Sequence, residues 1–544
     1  MDVPNRKLEK AVLSTISIAF VIWSAAFIYR SSLIAMDGNR YFCLFDDAMI
    51  SMRYAWNFSH GLGLVWNQGE RIQGYSNLLM TLLMSLATLI FSKPIAPLVI
   101  QILGVIFMLA IAYVNMKIAD YILSDEDHKL HRLGRLLAFL CALLYYPLTY
   151  WSLLGMETGL LTLLLLLGIL FTFNYTRNKN LSNLLSVSGC LSLAFLTRND
   201  SIVFAIPIWI YIFRETYASA PKANGKVSGK LLATISLYFI FIIGQLIFQY
   251  RYYGEVLPNT YTLKLTGMPL WMRIANGAGF VKPFLIETAF IWVLSSMEII
   301  FDFGKRKLLL FSIVLSAIGY QVYVGGDFLY WRIMSPAMPL LAILFISAAK
   351  AIILAISNTQ AFNAYFFRTP IFPRKYMTEF LMTSLTLIGL LSANIRFLPE
   401  ISLQTKPFRS QYKINNVNAA IVLGQLTTKD ATIGVLAAGT VSYFTDRTAI
   451  DFLGKSDRYI AHLSPDVSGR IAWAGMTSVP GHNKYDLNYS IKTLKPTYVQ
   501  GFKWGGQDLS QWAKTNYVKV EYNGISLFLL KDSPSVLWNK INTP

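Results

Sequence analysis

The sequence predicts a polytopic α-helical membrane protein with a soluble α/β domain at its C-terminal end. Three observations support this. Of 544 residues, 54% are hydrophobic and only 14% are charged. Apolar runs of roughly 17–25 residues, long enough to cross about 30 Å of hydrocarbon, recur between residues 11 and 395. Beyond Ile395 such runs stop and short β-like runs replace them. Residues 1–396 are therefore expected to form a membrane domain and residues 397–544 an outer domain.

The chain opens MDVPNRKLEK and continues into an apolar run at 11–29. Basic residues ahead of an apolar stretch resemble a secretion signal, but no small-residue cleavage site follows. A retained anchor with a cytoplasmic N-terminus is expected. Further runs lie at 76–92, 97–121, 134–150, 158–175, 183–197, 201–213, 231–250, 283–301, 308–324, 333–356 and 376–395. If all of them crossed, most of DEDHKLHRLGR (125–135), RNKN (177–180), KANGKVSGK (222–230), GKRK (304–307) and FFRTPIFPRK (366–375) would lie outside, against the positive-inside rule.

Run 76–92 is short and continues a polar loop, so it reads as a juxtamembrane helix lying on or dipping into the bilayer. With it removed, every basic segment becomes cytoplasmic. About eleven spans remain, and the C-terminus lies outside. The outer face then receives a first loop at 30–96, together with 151–157, 197–200, 251–282 and 325–332. The count is least constrained at 183–213, where only Arg198, Asn199 and Asp200 separate two short runs.

The net charge of +19 follows the topology. No basic stripe with interleaved aromatics is present, so a nucleic-acid partner is not expected. Cys43, Cys141 and Cys190 have no metal-ligand spacing, and the last two lie in apolar runs, away from any disulfide with Cys43. In the outer domain ATIGVLA (431–437), TAIDFL (448–453), PTYVQGF (496–502), YVKVEY (517–522) and ISLFLL (525–530) read as strands. Asn523-Gly524 joins the last two as a type I′ hairpin.

The topology, chosen from Lys and Arg, also gathers Asp46, Asp47, Glu70, Glu157, Arg198, Asp200, Arg251, Asp327 and Arg332 on the outer face. Arginines suit phosphate oxygens, and a carboxylate can take a proton from an attacking hydroxyl. Each residue also has a plainer reading. Asp46 and Asp47 could cap the helix that follows them. Arg53 could face a phosphate or pair with an aspartate, and Glu70 could sit in a solvated turn. Glu157 could serve a helix N-terminus, Arg198 and Asp200 could neutralise each other, and Arg332 could snorkel. His462 and His482 lie far apart in sequence and suggest no metal site.

FDDAMISMRYAWNFSHGLGLVWNQGERIQGYSN (45–77) resembles the first outer loop of GT-C glycosyltransferases, in particular the group containing the mycobacterial terminal arabinofuranosyltransferase of cell-wall arabinan. WSLLGMETGL (151–160), LAFLTRND (193–200), RYYGEVLPNTYTLK (251–264) and YVGGDFLYWRIMSPAMPLLA (323–342) resemble the same group in order. IDFLGKSDRYIAH (450–462) and PGHNKYD (480–486) also fit. Met49, Trp56, Gln68 and Gln73 depart from the group's pattern.

The resemblance implies a GT-C membrane core of the bacterial inner membrane and a periplasmic C-terminal domain. It implies a polyprenyl-phosphate sugar donor, a glycan or protein acceptor, and an essential aspartate at Asp46 or Asp47. Substrate-binding candidates are Arg53, Glu70, Tyr75, Asn77, Glu157, Arg198, Asp200, Arg251, Asn259, Lys264, Asp327, Arg332 and His482. Charge on the leaving phosphate would be met by arginines, with a divalent cation as an open addition. Adjacent aspartates on a helix point about 100° apart. One is therefore expected to act and the other to cap or position, with Asp46 as the base. Two rival functions remain open at this point. A lipid-sugar transporter should show repeats and broken helices in matching halves, which the sequence lacks. A non-enzymatic assembly scaffold would act through the outer domain alone.

Overall fold

The computed structural model describes residues 3–541 except 124–126, 219–224, 328–329, 358–375, 409 and 469–480. The basic segment 366–375 and Pro480 of the PGHNKYD block lie outside the described residues. In chain order the membrane portion contains α1 (Val3–Ser31), α2 (Asp46–Ser59), α3 (Leu78–Ile90), α4 (Ala96–Ile122), α5 (His128–Leu144), α6 (Tyr146–Leu153), α7 (Thr158–Asn178) and α8 (Leu181–Thr197). It continues with α9 (Ile202–Ala218), α10 (Gly225–Tyr253), α11 (Asn259–Leu265), α12 (Leu270–Glu287), α13 (Ala289–Phe301), α14 (Lys305–Tyr323), α15 (Met338–Ser357) and a helix at Met377–Asn394.

Among the described residues, six helices are long and apolar enough to cross a membrane, or eight if two bent pairs each count as one span. The remaining predicted spans fall on α8 and α9, 17 residues each, and on α14, which opens with three cations. The chain is a multi-pass membrane protein. α3 has 13 residues and a length of about 20 Å, too short to cross. Its Leu86, Leu89 and Ile90 are exposed, as an apolar face beside lipid requires.

The region 251–301 needs correction. The segment expected to be an outer loop contains α11 and α12, and the predicted span 283–301 is broken. α12 and α13 meet at 87° around Thr288. The other bent pair, α5 and α6, turns by 52° ahead of Pro147. The backbone groups freed there are satisfied by Asn394, whose side chain accepts from Tyr146 N and donates to Leu144 O, both at 2.9 Å. Such repair is what an apolar surrounding demands of a broken helix.

One end of the bundle is tied by charges from segments predicted to share a face. Arg135 pairs with Glu9 at 3.2 Å and with Asp120, and Lys305 pairs with Glu215 at 2.8 Å. The other end holds the first loop and the C-terminal domain, called the outer domain after its expected side. In the loop, β1 (Leu33–Ile34) and β2 (Arg40–Tyr41) form an antiparallel ladder. The outer domain contributes β3 (Thr432–Val435), β4 (Thr448–Asp451), β5 (Tyr498–Val499), the small hairpin β6–β7 (Lys503–Trp504, Gln507–Asp508), β8 (Tyr517–Tyr522) and β9 (Ile525–Leu530).

Its main sheet has the order β4-β3-β5-β9-β8, parallel on the β4 side and antiparallel on the β8 side. Asn523 and Gly524 have φ of 49° and 76°, as a type I′ turn requires. Ile433, Val435, Leu527 and Leu529 bury one face with Leu423 and Leu426 of the helix at Ser410–Leu426.

The outer domain docks on α2 through hydrogen bonds. The Asp46 carboxylate accepts from Gly439 N at 3.1 Å, and from Thr440 N and Thr440 Oγ1 at 2.9 Å each. It thereby caps the short helix Thr440–Thr445 across the domain junction. Arg53 is 7% exposed and donates to the carbonyls of Trp66, Ser442 and Arg447 and to Asn67.

The approach is close enough that a Cβ on Gly439 would stand 1.9 Å from the Asp46 carbonyl oxygen. Gly439→Ala should therefore push the helix off its cap, at a cost of about 1–3 kcal/mol. The expected readout is a lower thermal unfolding midpoint with new proteolytic cleavage between the two domains. Wild-type values in both measurements would show that the docking is slack.

Candidate active site

Asp47 follows Asp46 on α2 and is turned away from it, into a cavity of about 340 Å³ between the first loop, the bundle and the outer domain. Arg198, Lys264, Arg332 and Lys455 line it, with the carboxylates Asp47, Glu157 and Asp200. Lys455 is ion-paired to Asp47 Oδ1, and Arg332 Nη1 lies 3.4 Å from Asp47 Oδ2. Burial pushes the Asp47 carboxyl up, but Lys455 and Arg332 outweigh it and hold the group well below the usual carboxylate range.

Behind the cavity wall Asp327 accepts from Arg332 Nε at 3.1 Å and Nη2 at 3.0 Å, and lies 3.4 Å from Lys264. Burial, together with Arg332, Arg198 and Lys455, lowers the Lys264 ammonium against the pull of Asp327.

Arg198 makes the second cluster. Its Nε donates to Asp200 Oδ1 at 2.8 Å and its Nη1 to Glu157 Oε1 at 2.6 Å, with Nη2 on Asp200 Oδ2. Burial would raise the Asp200 carboxyl, but Arg198 and a hydrogen bond from Tyr320 keep it below its ordinary value. Glu157 is 2% exposed and also accepts from Asn77 Nδ2 at 3.2 Å, while Asn77 Oδ1 accepts from Ser51 at 2.9 Å. The lining also includes the apolar side chains of Phe195, Ile202, Val203, Leu246, Leu257 and Leu265.

Arg332 is aimed by an unusual turn. Tyr330 and Trp331 both lie in the left-handed region, with φ of 41° and 55°, at about 1–2 kcal/mol each. Tyr330 OH donates to Glu400 at 2.8 Å, and Trp151 Nε1 donates to the Tyr330 carbonyl at 2.9 Å. Glu400 also accepts from Tyr146 OH and from Phe408 N.

The structure thus brings Asp47, Tyr75, Asn77, Glu157, Arg198, Asp200, Lys264 and Arg332 to one cavity, with Asp327 directly behind Arg332. Tyr75 OH shares a hydrogen bond with Tyr253 OH at 3.0 Å. Other candidates lie elsewhere. Asp46 points at the outer-domain helix because its neighbour takes the cavity side of α2. Arg53 is consumed by carbonyl groups at the domain junction. Glu70 is exposed and accepts from Asn67, and Arg251 is exposed on the last turn of α10. Asn259 is buried beneath the Lys455 loop, donating to the carbonyls of Gly454 and Asp457. His482 stands close enough to act on the Asp47 charge without lining the cavity.

Lys455 was not among the expected site residues, although it lies within the IDFLGKSDRYIAH block. Its lysine beside a glycine was the available signal, but only the fold sets it against Asp47. Asp451 forms the loop by accepting from Leu453 N at 3.0 Å and Ser456 N at 2.8 Å, and burial pushes its carboxyl up to about 6. Among the described residues no three His, Cys, Asp or Glu side chains gather as a metal-binding group. The cavity carboxylates are already ion-paired to Arg or Lys, so this donor set does not fit a divalent cation.

With this geometry in hand, the chain can be set beside known proteins. No curated protein matches it by sequence. A family model described as a domain of unknown function, DUF8728, matches residues 400–530. Solved structures match over nearly the whole chain. ArnT from Cupriavidus metallidurans in the apo state is 11% identical with a TM-score of 0.54, over 97% of this chain and 98% of that one. The same protein bound to undecaprenyl phosphate is 9% identical with a TM-score of 0.53, over 95% and 98%. The archaeal oligosaccharyltransferase AglB from Archaeoglobus fulgidus, in complex with an inhibitory peptide and a dolichol-phosphate, is 10% identical with a TM-score of 0.53, over 98% of this chain and 75% of that one.

The fold is the GT-C membrane fold. At these identities the likeness is one of architecture.

Arg198 is the neutralising charge for two carboxylates whose side chains are 3% and 16% exposed. Arg198→Ala should cost about 3–5 kcal/mol, because both would be left buried without a counter-charge. The unfolding midpoint of the detergent-solubilised protein measures this, and Arg198→Lys, which keeps the charge without the fork, should fall between the two.

Proposed function

We propose that the chain is a membrane glycosyltransferase that moves a sugar from a polyprenyl-phosphate donor to a glycan or glycoprotein acceptor outside the membrane. Arabinofuranose is the sugar favoured by the first-loop resemblance. The observation that carries this reading is the make-up of one cavity, where four cations and three carboxylates share the lining with apolar side chains. Phosphate oxygens require the cations, an isoprenoid tail the apolar side chains, and an attacking hydroxyl a base. Undecaprenyl phosphate and dolichol-phosphate in the complexes of ArnT and AglB support the same lipid class here.

In the proposed reaction the acceptor oxygen attacks the anomeric carbon and forms the new glycosidic bond. The bond between that carbon and the phosphate oxygen breaks, and its electron pair leaves with the polyprenyl phosphate. The hydroxyl proton passes to Asp47. Asp47 replaces Asp46 as the proposed base because the Asp46 carboxylate accepts its hydrogen bonds from the start of the outer-domain helix. Lys264 and Arg332 meet the charge developing on the phosphate. Glu157 and Asn77 are placed to bind sugar hydroxyls, while Asp327 orients Arg332.

We assign residues 1–396 to the catalytic membrane domain and residues 397–544 to the outer domain that holds the acceptor. The N-terminus is assigned to the cytoplasm and the outer domain to the periplasmic side of a bacterial inner membrane, as the distribution of Lys and Arg favours.

In proteoliposomes, Asp47→Asn should lower transfer by about 10²–10⁴-fold while keeping polyprenyl-phosphate binding. Asp46→Asn should instead loosen the outer domain. Full transfer by Asp47→Asn would overturn the base assignment. Movement of labelled lipid across the bilayer with no new glycosidic bond would overturn the transferase reading. Mass spectrometry of envelope glycans from a deletion strain would identify the sugar.

A further inference from the structure

Asp47 as it stands is a poor base. Lys455 is ion-paired to one oxygen, Arg332 faces the other at 3.4 Å, and the pair of cations holds the carboxylate ionised and weakly basic. A hydroxyl seeking a lone pair on Asp47 Oδ1 would meet an ammonium there. Departure of Lys455 would free that oxygen and make the carboxylate a stronger base.

The four cavity cations are not equally able to move. Arg198 has all three nitrogens on Glu157 and Asp200. Arg332 holds Asp327 through two. Lys264 makes a longer contact, 3.4 Å, with Asp327. Among the described residues Lys455 has one ion-pair partner, Asp47. A lysine ammonium is a compact charge on a flexible four-carbon stem, suited to exchanging one anion for another.

The backbone under Lys455 is fixed. Asp451 accepts from two amides of its loop, Asn259 donates to the carbonyls on either side of it, and a Cβ on Gly74 would sit 2.8 Å from the Lys455 carbonyl and 2.3 Å from Ser456 Oγ. Only the side chain is placed to swing.

We infer that Lys455, contributed by the outer domain, is a ligand of the donor phosphate, and that its transfer from Asp47 to that phosphate unmasks the base. The inference rests on the reading of the cavity as a lipid-phosphate site. It makes the reaction ordered. The donor binds first, because its phosphate draws the ammonium away, and the acceptor hydroxyl finds a competent carboxylate only afterwards. The outer domain then has a part in the chemistry beyond holding the acceptor.

The test uses the full chain in lipid nanodiscs, with undecaprenyl phosphate and undecaprenol as probes that share a tail and differ in the phosphate. Wild type should bind the phosphate over the alcohol. Lys455→Met should weaken undecaprenyl phosphate by about tenfold, the loss of one charge-assisted contact, and leave undecaprenol unchanged. Lys455→Arg should recover most of the loss.

Asp47→Asn should bind undecaprenyl phosphate about threefold or more tightly than wild type, because the carboxylate no longer competes for the ammonium. Removing the Asp47 charge alone also favours an anion, so the transfer of Lys455 requires that this gain be lost when Lys455→Met is combined with Asp47→Asn. Wild-type affinity in Lys455→Met, or unchanged or weaker binding in Asp47→Asn, overturns the transfer of Lys455. If Lys455→Met fails to fold alone, the double variant Asp47→Asn, Lys455→Met, which leaves no unpaired carboxylate at that contact, is compared with Asp47→Asn, and equal phosphate affinity in the two overturns the transfer. Failure of wild type to distinguish the phosphate from the alcohol would instead overturn the lipid-phosphate reading itself.

Discussion

Taking charged side chains out of water is the constraint around which the cavity is built. Seven of them line it, and Asp327 stands behind as an eighth. A single uncompensated charge at such depth would cost several kcal/mol. Each carboxylate is therefore matched to a guanidinium or ammonium, Asp47 and Glu157 to cations from distant parts of the chain and Asp200 and Asp327 to an arginine close by in sequence. Asp47 comes from the first loop, Glu157 from the α6–α7 junction, Arg198 and Asp200 from the α8–α9 turn, Arg332 from the approach to α15, and Lys455 from the outer domain. Charge matching of this kind works across sequence distance, so it also holds these segments in place.

The two aspartates of α2 divide the work between assembly and the cavity. Consecutive helical residues diverge by about 100°, and the helix begins where the first loop meets both the bundle and the outer domain. One carboxylate reaches outward to Gly439 and Thr440, and the other reaches inward to Lys455 and Arg332. Because both contacts come from one helical turn, docking of the outer domain fixes the angle at which Asp47 meets the cavity. Arg53, two turns further on, fastens the same surface through carbonyl groups.

Much of the fold was legible in the sequence because hydropathy and charge act locally. Apolar length marked the helices, the shortness of 76–92 marked α3, and alternation with Asn523-Gly524 marked the final hairpin. The positive-inside rule grouped Asp47, Glu157, Arg198, Asp200 and Arg332 before any contact was known. What stayed hidden depends on partners distant in sequence. Nothing near Arg53 shows that carbonyls of residues 442 and 447 will consume it. Nothing near Asp46 shows that a helix at residue 440 will claim it. Lys455 reads as one more basic residue until the outer domain lays it against Asp47. The break at Thr288 escaped because an apolar run looks the same whether it continues or turns by 87°.

Glu400 gives the architecture a mechanical property. It stands where the chain leaves the last membrane helix, and it grips two things at once. One oxygen receives the hydroxyl of Tyr330, whose left-handed turn aims Arg332. The other receives the amide of Phe408, on the strap leading to the outer domain. A tilt of the outer domain would pull on that strap, and the strap pulls on the carboxylate that holds the turn. The left-handed Tyr330–Trp331 turn is thus held from the connection between the two domains. The position of the C-terminal domain and the aim of the Arg332 guanidinium are thereby coupled.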